Sequence, residues 1–285
     1  MTGAPKTDQP TASEAAPRFP YFDSLFPQLE AGNADIETAF GRHVHWGYWP
    51  EPGRAARNAA DYGAAAERMT VELTDAAGAA DNQSVLDVGC GIGGTIASLN
   101  ERFSGMRLIG LNIDRRQLDY ARGQVKARDG NRVEFVEGSA SKLPFPDASF
   151  DAVLAVEAIF HFPDRAQFFA EVHRVLKPGG KLALSDFVPA AWILPTLWFK
   201  VDAGYYGKVD LRYTLGRYRS LAARTGFKPV VERNVTPNTL PTYDYLRSLP
   251  RPAEQRHVGV ASTIMLYLNS RFGLVRYSIL GFEKI

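Results

Sequence analysis

The stretch Val85-Leu86-Asp87-Val88-Gly89-Cys90-Gly91-Ile92-Gly93-Gly94 carries an apolar run with one carboxylate into a set of glycines and then into a helical pattern. Bare glycine backbone lets a ligand lie against the chain, and a helix start offers it free N–H groups. A carboxylate inside an apolar strand, here Asp87, must be satisfied by nearby donors or serve a charged ligand. Gly89, Gly91 and Gly94 also satisfy G-x-G-x-x-G, which by itself leaves an NAD(P)-binding oxidoreductase open. Further along, Glu157 and His161 follow a long apolar run, and Asp186 ends another. The single cysteine, Cys90, excludes an intrachain disulfide. The five histidines are scattered, with only His43 and His45 close together. No four-ligand pattern is visible, so no metal is expected.

These residues need a scaffold, and the chain supplies an alternation. Ser84 to Gly89, Arg107 to Asn112, Arg132 to Glu137, Phe150 to Val156 and Lys181 to Val188 read as strands. Helices fall between them, with Asp114/Gln117 and Asp164/Gln167 at capping spacing. The apolar run Phe150 to Val156 suits a central parallel strand covered on both faces. This order predicts an α/β fold, a doubly wound Rossmann-like sheet with ligands at the carboxyl ends of its strands. Leu215 to Thr225 and Pro252 to Asn269 read as helices, and Phe227 to Val235 and Val275 to Glu283 as further strands. Residues 1–17, rich in Ala, Pro, Thr and Ser, read as a disordered tail. Residues 18–80, aromatic and then helical, read as a lid segment. Residues 81–285 read as the core, with an aromatic cap inserted at about 189–213, too long for an ordinary connection.

Two more segments complete a pattern: Gly138-Ser139-Ala140-Ser141-Lys142-Leu143-Pro144-Phe145, and Val175-Leu176-Lys177-Pro178-Gly179-Gly180-Lys181-Leu182. With the glycine loop, these three ordered motifs closely resemble class I S-adenosylmethionine-dependent methyltransferases, over Val85 to Val188. The segment Trp46 to Trp49 and the final strand extend the resemblance to most of the chain. The nearest groups are natural-product sugar and polyketide O-methyltransferases and terpenoid C-methyltransferases. The resemblance implies a seven-stranded sheet with an antiparallel last strand and S-adenosylmethionine as co-substrate, whose ammonium and sulfonium suit Asp87. It implies Gly89 and Gly91 beside the methionine part, and Ile113 and Gln117 near the adenosine. Ser139 and Ala140 would border the adenine, and Tyr48 would cover the cofactor. At the end of the second strand the family usually has an acidic ribose ligand. Here Asn112 stands instead, which can still accept from one hydroxyl and donate to another. Asp114 is the other candidate, although it reads first as a helix cap.

Methyl transfer from a sulfonium is an in-line displacement, catalysed in large part by holding the nucleophile against the methyl carbon. A hydroxyl acceptor also loses a proton, so a base near neutral pKa is expected beside the central strand's end. His161, in Ala158-Ile159-Phe160-His161-Phe162-Pro163, is that candidate. The resemblance to sugar O-methyltransferases places a histidine there and an aspartate, here Asp186, to orient it. The alternative is C-methylation of a prenyl diphosphate with Glu157 as base and a cation-stabilising wall of Trp192, Trp198, Phe199, Tyr205 and Tyr206.

Composition sets the outer bounds. The net charge of +2 is small and well mixed, which argues against nucleic acid as a partner. No apolar run reaches the ~18 residues of a membrane span, and the start lacks the order of a signal peptide, so a cytoplasmic protein is expected. A hydrophobic small molecule is the expected substrate. The aromatic insert suits a cover over that molecule or a homodimer contact equally well.

Overall fold

The computed structural model describes residues 20–128, 130–196, 201–202, 206–249 and 253–285. The predicted tail, and Trp198, Phe199 and Tyr205 of the predicted wall, lie outside them. Five strands run parallel: β1 (Ser84–Val88), β2 (Arg107–Asn112), β3 (Arg132–Glu137), β4 (Phe150–Ala155) and β5 (Leu176–Pro189). A small ribbon of β6 (Val201–Asp202) and β7 (Lys208–Val209) follows. The sheet is completed by β8 (Phe227–Asn234) and β9 (Val275–Lys284), in the order β3-β2-β1-β4-β5-β9-β8. Strand β9 is antiparallel to both neighbours. The order reverses between β1 and β4, which opens a crevice at their carboxyl ends.

Nine helices flank the sheet among the described residues. They are α1 (Pro20–Glu30), α2 (Ala34–Phe40), α3 (Ala59–Ala76), α4 (Gly94–Arg102), α5 (Arg115–Gln124), α6 (Arg165–Val175), α7 (Leu215–Arg224), α8 (Thr236–Ser248) and α9 (Ala253–Arg271). Strand pleating sorts the core onto two faces. Val85, Leu108, Ala152 and Ala183 pack on Ile96 and Leu99 of α4 and Leu118 of α5. Leu86, Val153 and Leu184 pack on Phe168 and Val172 of α6 and Leu221 of α7. A third cluster joins α1–α3, α8 and α9 to Phe187, Tyr277 and Ile279, roofing the carboxyl ends of the strands.

The cap spacing behaves as its chemistry requires. Asp114 accepts from Arg116 N, and Asp164 from Ala166 N and Gln167 N. The Gln117 amide turns to the Asp114 side chain at 3.4 Å rather than to the cap's own backbone, so only half of a capping box forms.

Candidate active site

Two cavities meet under the helical roof. The larger, about 580 Å³, follows the β1 and β4 ends and is lined by Asp87, Gly89 to Ile92, Asn112, Ile113, Gln117, Ser139 and Ala140. The smaller, about 100 Å³, is mainly apolar, walled by Phe40, Trp46, Phe160, Phe187, Leu211 and Leu266 among others. Tyr21, Val44, Glu157 and His161 line both.

Glycines shape the first cavity. Gly89 and Gly91 have φ of +79° and +53°, where side chains are strained. A Cβ on Gly89 would lie 2.5 Å from Ala158 Cβ, whereas one on Gly91 would meet only Gln117 Oε1, at 3.9 Å. The backbone at Gly91 therefore stands open to an occupant. Asp87 is 1% exposed, and among the described residues its Oδ1 has no hydrogen-bond partner. Burial pushes its carboxyl up to about 7, and the Thr95 hydroxyl pulls it back only in part. An orphaned buried carboxylate oxygen beside open backbone fits the ammonium of an amino-acid ligand.

At the far end the exposed apolar side chain of Ile113 faces the cavity beside Ser139 and Ala140. Asn112 lines it too, but its amide is largely committed. Oδ1 accepts from Ile113 N at 2.7 Å and Asp114 N at 3.2 Å, and Nδ2 donates to Gln117 Oε1 at 2.9 Å. Asp114 is not a lining residue; it caps α5 and pairs with Arg116.

The junction carries the ionisable groups. His161 ends a short 3-10 turn, Ile159–His161, just beyond β4, with its ring edge-on to Phe160. Glu157 sits at φ +48°, a left-handed position that a non-glycine residue holds only when its surroundings fix it. Its Oε1 accepts from Trp46 N at 2.8 Å and from the Tyr277 hydroxyl. Burial raises this carboxyl to about 8, against the lowering effect of those two donors.

Two expected site residues lie elsewhere. Asp186 lines neither cavity. The pleat of β5 sends Ser185 and Phe187 toward the roof and Asp186 to the opposite face, where Arg165 Nη1 approaches its Oδ2 to 2.5 Å. Tyr218 donates to the same oxygen and Phe187 N to the other, so Asp186 is consumed by structure instead of orienting His161. Tyr48 also lines neither cavity: its N–H bonds Ala65 O and its carbonyl accepts from Arg68, which pins it along α3. Tyr21 and Phe22 of α1 line the cofactor-sized cavity instead. Sequence reasoning also missed His43 and His45 as lining residues, although their close spacing was the available signal. Of the predicted aromatic wall, Tyr206 faces the small cavity and Trp192 is 71% exposed. Among the described residues no cluster of three or more His, Cys, Asp or Glu could hold a metal, and no helix is long and apolar enough to cross a membrane.

A family model described as a methyltransferase domain matches residues 86–184. The methyltransferase GfsG of Streptomyces halstedii is 40% identical over 160 residues, 56% of this chain and 56% of that protein, so the match spans little more than half of GfsG. The 27-O-demethylrifamycin SV methyltransferase of Amycolatopsis mediterranei is 31% identical over 82% of this chain and 81% of its own length. Among solved structures, the geranyl diphosphate C-methyltransferase of Streptomyces coelicolor superposes with a TM-score of 0.69 at 20% identity, covering 95% of this chain and all of that one.

Proposed function

Since this chain belongs to the class I S-adenosylmethionine-dependent methyltransferases, we propose that it methylates a hydroxyl of a hydrophobic small molecule, a natural product or glycoside, with His161 as general base. The observation that carries this reading is the meeting of a cofactor-sized cavity and an apolar pocket at Glu157 and His161. When bound, S-adenosylmethionine supplies an electrophilic methyl group. Asp87 then receives the ammonium, Gly89 and Gly91 admit the methionine chain, Asn112 and Gln117 take the ribose, and Ile113, Ser139 and Ala140 border the adenine. Residues 18–80 act as a lid and residues 189–213 as a cap, excluding water from the acceptor. His161 takes the hydroxyl proton as the oxygen–methyl bond forms. Glu157, mostly protonated at pH 7, donates a hydrogen bond at the junction.

Oxygen as the acceptor atom is supported by the smaller cavity's lining, which among the described residues includes no Arg or Lys to receive a diphosphate. The pair Arg115 and Arg116, at the start of α5, lines neither cavity and is already engaged by Asp119, Asp114 and Asp23. The competing reading, methylation of a prenyl diphosphate carbon with Glu157 as base, draws on that carboxyl's titration at about 8 and its place in both cavities.

The test supplies methyl-labelled donor and a metabolite extract, then follows the labelled product in variants. His161→Ala should lower turnover by ~10²-fold or more while S-adenosylhomocysteine affinity is kept. Near-normal turnover would remove His161 from the mechanism. Labelling of geranyl diphosphate with magnesium, lost in Glu157→Gln more than in His161→Ala, would favour the carbon acceptor.

A further inference from the structure

The wall of the cofactor cavity formed by residues 42–45 holds a buried hydrogen-bond chain that is one proton short. His43 Nε2 lies 2.7 Å from Glu67 Oε2, and His45 Nδ1 lies 3.1 Å from Trp46 O. An ionised carboxylate and a carbonyl only accept, so both of those nitrogens carry protons. Between the two rings sits one hydroxyl: Thr70 Oγ1 is 3.3 Å from His43 Nδ1 and 3.1 Å from His45 Nε2. With both imidazoles neutral, these two nitrogens bear only lone pairs, and Thr70 has a single proton to offer. One nitrogen is left unsatisfied in the interior. A further proton on His43 Nδ1 would complete the chain. His43 would donate to Thr70, Thr70 to His45, and His45 to Trp46, the residue whose own N–H holds Glu157.

Charge counting says what would bring that proton. Around His43 stand Glu67 and Thr70 of α3, Gly94 and Glu101 of α4, and Arg42 and His45 of its own segment. Glu67 is held ionised, down to about 2: burial opposes this, but His43, Ser98 and Arg42 outweigh it. Arg42 pairs with both Glu67 and Glu101, so two carboxylates face one guanidinium and the cluster carries a net negative charge. Burial keeps the His43 imidazole below its ordinary range in this state. A Cβ on Gly94 would lie 2.4 Å from His43 Nδ1, and Gly94 precedes Thr95, the neighbour of Asp87. The cluster therefore borders the end of the cavity where Asp87 awaits an ammonium. A zwitterionic amino acid placed there brings its carboxylate up to a wall whose one guanidinium, Arg42, is already shared by two carboxylates.

We propose that binding of the cofactor is coupled to uptake of a proton from solvent at His43 Nδ1, which offsets the incoming carboxylate and completes the chain from Glu67 to Trp46. This rests on the cofactor assignment made above.

Isothermal titration of S-adenosylhomocysteine at pH 8, in buffers of differing ionisation enthalpy, counts the protons moved. The wild type should take up more than His43→Gln, by a difference approaching about one proton per site. Asp87 and Glu157 titrate in the same cavity but are common to both proteins, so the difference isolates His43. Thr70→Val, which removes the Thr70 Oγ1 acceptor for the added proton, should abolish the same difference if His43→Gln does not fold. Affinity should weaken with rising pH more steeply in the wild type than in either variant, by up to about tenfold per unit. Equal proton counts in wild type and a folded variant would overturn the coupling. Absence of any S-adenosylhomocysteine binding by the wild type would instead sink the cofactor assignment beneath it.

Discussion

Asp87 and Asp186 are both buried aspartates near the carboxyl ends of parallel strands, and their surroundings are opposite. Asp186 is fully supplied with donors: Arg165, Tyr218 and Phe187 N engage its two oxygens. Arg165 in turn bonds Asp210 O, and Asp210 N bonds Phe160 O, so this ion pair clamps the turn that carries His161. Asp87 has one oxygen without a partner among the described residues and a cavity in front of it. Burying an ion is tolerable when its neighbours answer it, and a group left unanswered points to something that arrives later. The region around Asp186 is therefore read as framework and that around Asp87 as ligand site.

The largest effect separating the two should come from Arg165→Met. It strands a buried carboxylate, for which the expected loss is about 3–5 kcal/mol of folding stability, measured by urea unfolding. Arg165→Met combined with Asp186→Leu should recover most of it. S-adenosylhomocysteine affinity of the folded fraction should stay within about twofold, since neither residue lines the cavity. An affinity loss as large as the stability loss would erase the distinction between framework and site.

Asp87→Asn should do the reverse. Losing a charged hydrogen bond to the ammonium costs about 1.5–3 kcal/mol, or roughly 10- to 150-fold in S-adenosylhomocysteine affinity. The ligand-free variant should be no less stable at pH 8 than the wild type. The Asp87 carboxyl is raised from 3.8 to about 7 in the folded protein, so the folded state holds its proton more tightly than the unfolded chain does. That contribution is complete below about pH 4 and disappears as pH climbs through about 7, with a magnitude of order 4 kcal/mol. Denaturation curves from pH 4 to 8 should show the wild type declining relative to Asp87→Asn. Parallel curves would mean that Asp87 is satisfied within the fold after all.

The contrast also explains what the sequence could and could not disclose. The strands around Asp87 are short, apolar and bounded by glycine, and each parallel strand was legible to within a few residues except β5. That strand begins at Leu176, running through Lys177-Pro178-Gly179-Gly180 that reads as a helix stop, and a register irregularity lies opposite at Phe150 and Ala152. The side on which Asp186 projects depends on pairing with β9, almost a hundred residues away, and no local pattern encodes it. The roof was less legible still. Helix α1 contains Pro27 and α8 contains Pro241, each of which argues against a helix in a local reading. The aromatic run at Tyr21 and Phe22 therefore has no helix to place it in a local reading, and the denser run around Tyr48 is the more conspicuous candidate. Glu157 was legible as a candidate, but its left-handed backbone and its bond to Tyr277 depend on β9.

Asn112 gives the finest test, because it sits between the two cases: it lines the cavity, yet its amide is nearly all committed. In Asn112→Asp one oxygen can keep both backbone N–H groups. The other would face Gln117 Oε1 and, at 3.4 Å, Gly91 O, both acceptors. The Gln117 amide can turn over to donate instead, which sets its Oε1 about where Nε2 stood, 3.4 Å from an Asp114 oxygen whose charge Arg116 offsets. The new carboxylate then presents a stronger acceptor to the ribose at small structural cost. Affinity for S-adenosylhomocysteine should rise by about two- to fivefold, and stability should change by less than about 1 kcal/mol. In the background Gln117→Leu, with no amide to turn, that gain should vanish. A tenfold loss in the single variant would mean that the Asn112–Gln117 pair behaves like Arg165–Asp186, a closed arrangement with nothing left for a ligand.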